Sequence, residues 1–140
     1  MLLIKILFFL FFLQYQKQGM LGNSSNFATE IFLKPQIIIM VDIKNENGVY
    51  IASFKGRLDA PTAQEIQEEI EALLVHADKE IVLDCAKLEY ISSAGLRLFL
   101  RIRKEVSAKG GKVSIWNLAH EVKDVFVLTG FDEFFDFHNS

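Results

Sequence analysis

The chain is short of cysteine, of basic charge and of long apolar runs, and each shortage removes a class of function. One cysteine, Cys85, stands among 140 residues. A lone thiol closes no internal disulfide, so nothing in the sequence asks for an oxidising compartment. Cys85 follows the run Ile81-Val82-Leu83-Asp84 and reads as a small buried hydrophobe. Lysine and arginine number 15 against 18 acids, giving a net charge of −3 and a pI near 5.6. Phosphate backbones want a basic surface, so no direct nucleic-acid partner is expected. His76, His120 and His138 share no metal-ligand spacing with each other or with Cys85, so no metal is expected. The sequence offers no nucleophile–base pair and no glycine-rich phosphate loop, so neither an enzyme nor a cofactor site is expected.

What is present is unevenly spread. Residues 1–39 hold Lys5, Lys17 and Lys34 against Glu30, a charge of +2 that leaves −5 for residues 40–140. The first 13 residues are apolar apart from Lys5. They fall short of the ~18 apolar residues that suggest a membrane span. They match the ~7–15 of a signal-peptide core, but Gly19-Met20-Leu21-Gly22 is a poor cleavage site. The stretch is rich in Phe, Leu, Ile, Asn, Lys and Gln, which AT-rich untranslated DNA would encode. Met40 stands directly before the first well-patterned segment. We therefore read residues 1–39 as a doubtful extension with a true start at Met40, the alternatives being a signal or anchor and a structured extension. Residues 40–140 form the domain, with no membrane partner expected for them.

Val41-Asp42-Ile43-Lys44 alternates apolar and polar, the period of a half-buried strand. Asn45-Glu46-Asn47-Gly48 is a hairpin turn, and 49–58 is its antiparallel partner. Asp59-Ala60-Pro61-Thr62 opens a helix: Asp59 accepts early N–H groups, Pro61 suits the first turn, and Thr62 with Glu65 spells a capping box. Ala63, Ile66, Ile70, Leu73 and Leu74 follow at helical spacing, with the acids mostly on the other side. Residues 80–85 read as an interior strand and 87–91 as a lead-in to Ser92-Ser93. The next helix puts Gly95, Leu98, Phe99, Ile102 and Val106 on one face and Arg97, Arg101 and Lys104 on the opposite one, ending at Lys109-Gly110-Gly111. Residues 112–116 alternate as a strand. Asn117 is the expected N-cap of a short helix ended by Gly130, and the phenylalanine-rich tail adds an edge strand or a cap. The fold class is α/β: a mixed β-sheet with an antiparallel N-terminal hairpin, then parallel β-α-β units, and helices packed on it.

Ser92 and Ser93 stand where a strand should turn into a helix. A helix N-terminus offers unpaired N–H groups and partial positive charge. A hydroxyl there either caps the helix or carries an anionic group. The residues alone leave that choice open.

Gly56-Arg57-Leu58-Asp59, Tyr90-Ile91-Ser92-Ser93-Ala94-Gly95-Leu96, Lys109-Gly110-Gly111 and Leu128-Thr129-Gly130-Phe131-Asp132 occur in this order. Together they resemble the STAS domain, in particular the free-standing anti-sigma factor antagonists of bacteria, over residues 41 to about 137. The family motif reads Asp-Ser-Ser/Thr-Gly-Leu. Setting its Gly-Leu on Gly95-Leu96 places the phosphoacceptor on Ser93, with Ser92 the alternative acceptor. The family aspartate falls on Ser92 and the second hydroxyl on Ala94, so one carboxylate is missing. Asp59 matches the family's other acid near the site. The resemblance implies a cytoplasmic protein that binds an anti-sigma factor or serine protein kinase of the GHKL ATPase type. Phosphorylation at Ser93 would release it and a serine phosphatase would reset it. The partner surface would comprise Asp59, Ser92, Ser93, Ala94, Gly95 and Arg97. The alternative is a non-phosphorylated STAS subunit of an ABC-type lipid-transport complex.

Overall fold

The computed structural model describes Leu3, Ile4, Ile6, Leu7 and residues 40–140. The chain divides into two units, Met1–Ile39 and Met40–Ser140. The expectations for the first lie outside the described residues, those four apart.

In the second unit β1 (Val41–Glu46) and β2 (Val49–Leu58) form the antiparallel hairpin. Asn47 and Gly48 take φ of 54° and 87°, the turn whose twist matches the strands it joins, and the Gly48 N–H donates to Asn45 Oδ1 at 3.0 Å. Two short helices follow, α1 (Ala60–Glu65) and α2 (Gln67–Leu74), then β3 (Glu80–Ile91), α3 (Ser93–Ala108), β4 (Lys112–Trp116), α4 (His120–Thr129), a 3₁₀ turn (Phe131–Phe134) and β5 (Phe137–His138). The sheet order is β1-β2-β3-β4-β5, and every pair after the hairpin is parallel. Sequential order with right-handed crossovers carries the connecting helices over one sheet face. That is the mixed α/β architecture the sequence implied.

The core lies between helices and sheet. Ala63, Ile66, Ile70, Leu73 and Leu74 are buried, as are Gly95, Leu98, Phe99, Ile102 and Val106. Phe99 sits at its centre, edge-on to Phe54 with ring centroids 5.0 Å apart. Phe126 of α4 is covered by Phe135 and Phe137 at 5.9 and 5.6 Å, so the tail supplies both cap and edge strand.

Three expectations need correction. Residues 87–91 are not a lead-in but the second half of β3. The capping box is not Thr62 with Glu65. Asp59 Oδ1 accepts the Thr62 N–H at 3.2 Å while Thr62 Oγ1 accepts the Asp59 N–H at 2.8 Å. Asn117 is not an N-cap. The cap of α4 is Ala119 without a side-chain bond, and Asn117, at φ 59°, donates to Asp84 Oδ1 at 3.2 Å and accepts from Ser140. Arg101 lies on the expected face, away from the buried one, and is engaged there. It pairs with Glu71, with Gln67 Oε1 at 3.1 Å and with Glu105 at 2.9 Å, tying α3 to α2.

Candidate functional site

Leu58 and Ile91 are register partners at the carboxyl ends of neighbouring parallel strands. The next residues, Asp59 and Ser92, therefore begin two helices side by side at one sheet edge. In parallel sheets this edge is where ligands and partners are met. The two corners are stitched together: the Ser92 N–H donates to the Leu58 carbonyl at 2.9 Å.

At the second corner the two serines take different roles. Ser92 is the N-cap of α3, with extended backbone at φ −97° and ψ 177°. It is half-buried, and its Oγ accepts the Gly95 N–H at a long 3.5 Å. Ser93 is the first helical residue and is exposed. Its hydroxyl has no hydrogen-bond partner among the described residues. The cap thus belongs to Ser92, which leaves the Ser93 oxygen without a structural task.

Gly95 lets this corner close. A Cβ there would lie 2.6 Å from Ile91 Cγ1, 2.8 Å from the Leu58 carbonyl oxygen and 2.9 Å from Leu58 Cγ. Only a residue without a side chain lets the first turn of α3 settle against both strand ends. Ala94 beside it is half-buried.

At the first corner Asp59 is held by its capping box, and Thr62 Oγ1 also donates to the Arg57 carbonyl at 2.8 Å. The Thr62 hydrogen bonds, backbone first and then hydroxyl, hold the Asp59 carboxyl below its ordinary range, with a smaller contribution from Arg57. Arg57 Nε stands 4.0 Å from Asp59 Oδ2, and its guanidinium lies over the Tyr90 ring, 3.9 Å from the centroid. The sequence reading missed the pairing of Arg57 with Tyr90. The two are register partners across β2 and β3, beyond a register shift that the sequence does not reveal.

Arg97, one helical turn beyond Ser93, is exposed. It makes no ion pair or ring contact among the described residues, unlike Arg57, Arg101 and Arg103. Asp59, Ser92, Ser93, Ala94, Gly95 and Arg97 thus fall within two adjoining corners.

The family model for the STAS domain matches residues 40–140. The chain belongs to the STAS domain family. It is 33% identical over 94 residues to BtrV of Bordetella bronchiseptica, covering 67% of this chain and 81% of that protein. It is 31% identical over 100 residues to the anti-sigma-B factor antagonist of Bacillus subtilis, covering 70% and 89%. Among solved structures it shares its fold with the Bacillus cell fate determinant SpoIIAA in the phosphorylated form. There the TM-score is 0.56 at 17% identity, covering 71% of this chain and 90% of that one. Two of the four motifs that carried the resemblance, those around Asp59 and Ser93, meet at this sheet edge.

Among the described residues no group of three or more His, Cys, Asp or Glu side chains is placed to hold a metal. No helix among them is long and apolar enough to cross a membrane. Cys85 is buried, and desolvation pushes its thiol far above the ordinary range, so it stays a neutral packing residue.

Proposed function

We propose that residues 40–140 act as an anti-sigma factor antagonist working by partner switching in the cytoplasm. The unphosphorylated domain docks onto an anti-sigma factor that is also a serine kinase of the GHKL ATPase type. It uses the surface made by Asp59, Ser92, Ser93, Ala94, Gly95 and Arg97, and the partner lets go of its sigma factor. The Ser93 hydroxyl then attacks the γ-phosphorus of the partner's ATP, ADP leaves, and the hydroxyl proton is lost. The phosphorylated domain dissociates, and a serine phosphatase hydrolyses the ester to restore it.

One observation carries this reading: Ser93 is exposed and unengaged among the described residues, while Ser92 does the capping. A phosphate on Ser93 adds ~1.5–2 negative charges at a helix N-terminus, where the domain tolerates them. The switch therefore acts at the interface, by bulk and like-charge repulsion, and not by refolding. The name of the Bacillus subtilis relative supports the antagonist role, and the form in which SpoIIAA was solved supports phosphorylation as the switch. The transport-complex alternative draws no such support.

The test is mass spectrometry of the peptide carrying Ser92 and Ser93, after the full chain is incubated with the anti-sigma kinase and ATP. Phosphate should appear on Ser93. Ser93→Ala should bind the kinase constitutively and Ser93→Asp should bind it weakly. Phosphate on Ser92 alone, or equal affinity of the two variants, rejects the reading.

A further inference from the structure

The geometry points to Arg97 as the built-in counter-ion of a phosphate on Ser93, an inference that rests on the phosphoacceptor reading above. Three observations carry it. Ser93 and Arg97 are four residues apart on one continuous helix, Ser93–Ala108, so their Cβ atoms lie roughly 5–6 Å apart on one face. Helical side chains lean toward the N-terminus, which sends the Arg97 guanidinium back over the turn that begins at Ser93. The anion stands N-terminal to the cation, the more favourable order.

To these three is added the selectivity among the arginines. Arg57 is committed to the Tyr90 ring and Asp59, Arg101 to Glu71, Gln67 and Glu105, and Arg103 to the Phe134 ring. Arg97 is the one arginine of the four without such a partner among the described residues. The acid on the neighbouring element, Asp59, is already satisfied by Thr62 and Arg57. An incoming phosphate finds Arg97 uncontested.

Phosphorylation on this account does two things. It adds a charged group at the corner, and it folds Arg97 onto that group. A cation exposed on the proposed docking surface of the unphosphorylated domain is then withdrawn. Part of the affinity lost on phosphorylation is the loss of Arg97.

The test starts from the full chain with phosphoserine installed at position 93 by translation, so no kinase is needed. Phosphorus NMR follows the phosphate's second ionisation, ordinarily near pH 6. Arg97 favours the dianion, so Arg97→Gln should raise that pKa by about 0.3. Lys104→Gln, the same charge lost three turns away, should leave it unchanged. The Arg97 Nε–H signal should shift between the serine and phosphoserine proteins. Equal pKa values in the two variants overturn the inference, even if mass spectrometry finds phosphate on Ser93 in cells. With the anti-sigma kinase as ligand, the fold-loss of affinity on phosphorylation should be smaller in the Arg97→Gln background. An equal loss overturns the withdrawal of the cation.

Discussion

The two strand-to-helix corners at the carboxyl edge of the sheet look alike and are built to opposite ends. Both follow a parallel strand, both begin a helix with a polar N-cap, and one backbone hydrogen bond joins them. The Asp59 corner is closed: carboxylate and hydroxyl exchange bonds with each other's backbone, proline sits in the first turn, and Thr62 also holds the end of β2. The Ser92 corner is sparse, with one long side-chain bond, a bare glycine at the contact and an exposed hydroxyl beside it. A corner with every polar group satisfied resists change. A corner with a spare nucleophile can be modified without disturbing the fold. The difference is what the proposed function requires: a tightly bonded corner beside one whose hydroxyl stands exposed.

Gly95→Ala should break the comparison hardest. The new methyl meets a backbone carbonyl and two core side chains at under 3 Å, so α3 must lift from both strand ends. Overpacking of this kind costs about 1–3 kcal/mol, and the carbonyl contact puts it at the upper end. Urea unfolding should show the loss, and the Ser92 N–H bond to Leu58 should lose protection from hydrogen exchange. Thr62→Val comes next, at about 1 kcal/mol, because it removes one partner of the reciprocal cap.

Asp59 adds a pH signature to the scaffold corner. Its folded pKa is lowered, so its contribution is full above the ordinary carboxylate range near pH 4 and is lost as pH falls through the folded value. Asp59→Asn should flatten the stability profile on the acid side of about pH 4. No such flattening should follow Ser92→Ala. An unchanged acid limb in Asp59→Asn would show that the carboxylate is not held as described.

The strands at 49–58 and 112–116 were legible in the sequence because turn residues bound them and their alternation is intact. The second half of β3 was not. Register shifts lie between Ser53 and Lys55 and again between Gly56 and Arg57, and pairing across such irregularities scrambles period-two patterning. The pairing of Arg101 was not foreseen, and Asn117 was misplaced, for another reason. Their partners, Glu71 and Asp84, lie 30 and 33 residues away in the chain, and local pattern carries no trace of such contacts. At the site, the sequence offered two adjacent hydroxyls with the same local credentials. Which one caps is decided by where β3 ends, and that is fixed across the sheet by the Leu58 carbonyl. The pair Arg57 and Tyr90 lies just beyond the second of these shifts, so periodicity could not bring them together either.

The smallest effects sharpen the comparison most. Ser92→Ala removes a cap bond already stretched to 3.5 Å, so its cost should fall below the ~1 kcal/mol of a well-formed cap. Ser93→Ala removes an exposed hydroxyl with no partner among the described residues, so its stability should stay within about 0.5 kcal/mol of the parent. Ser93→Asp should match the parent or gain slightly, because a negative charge in the first turn favours the helix. Side-by-side urea titrations of the three variants therefore separate cap from acceptor. A loss above about 1 kcal/mol in Ser93→Ala would make that serine a structural residue, and the sparse corner would be scaffold like its neighbour. If Ser93→Ala is silent in unfolding yet decisive in kinase binding, the same atom is idle in the fold and active in the switch.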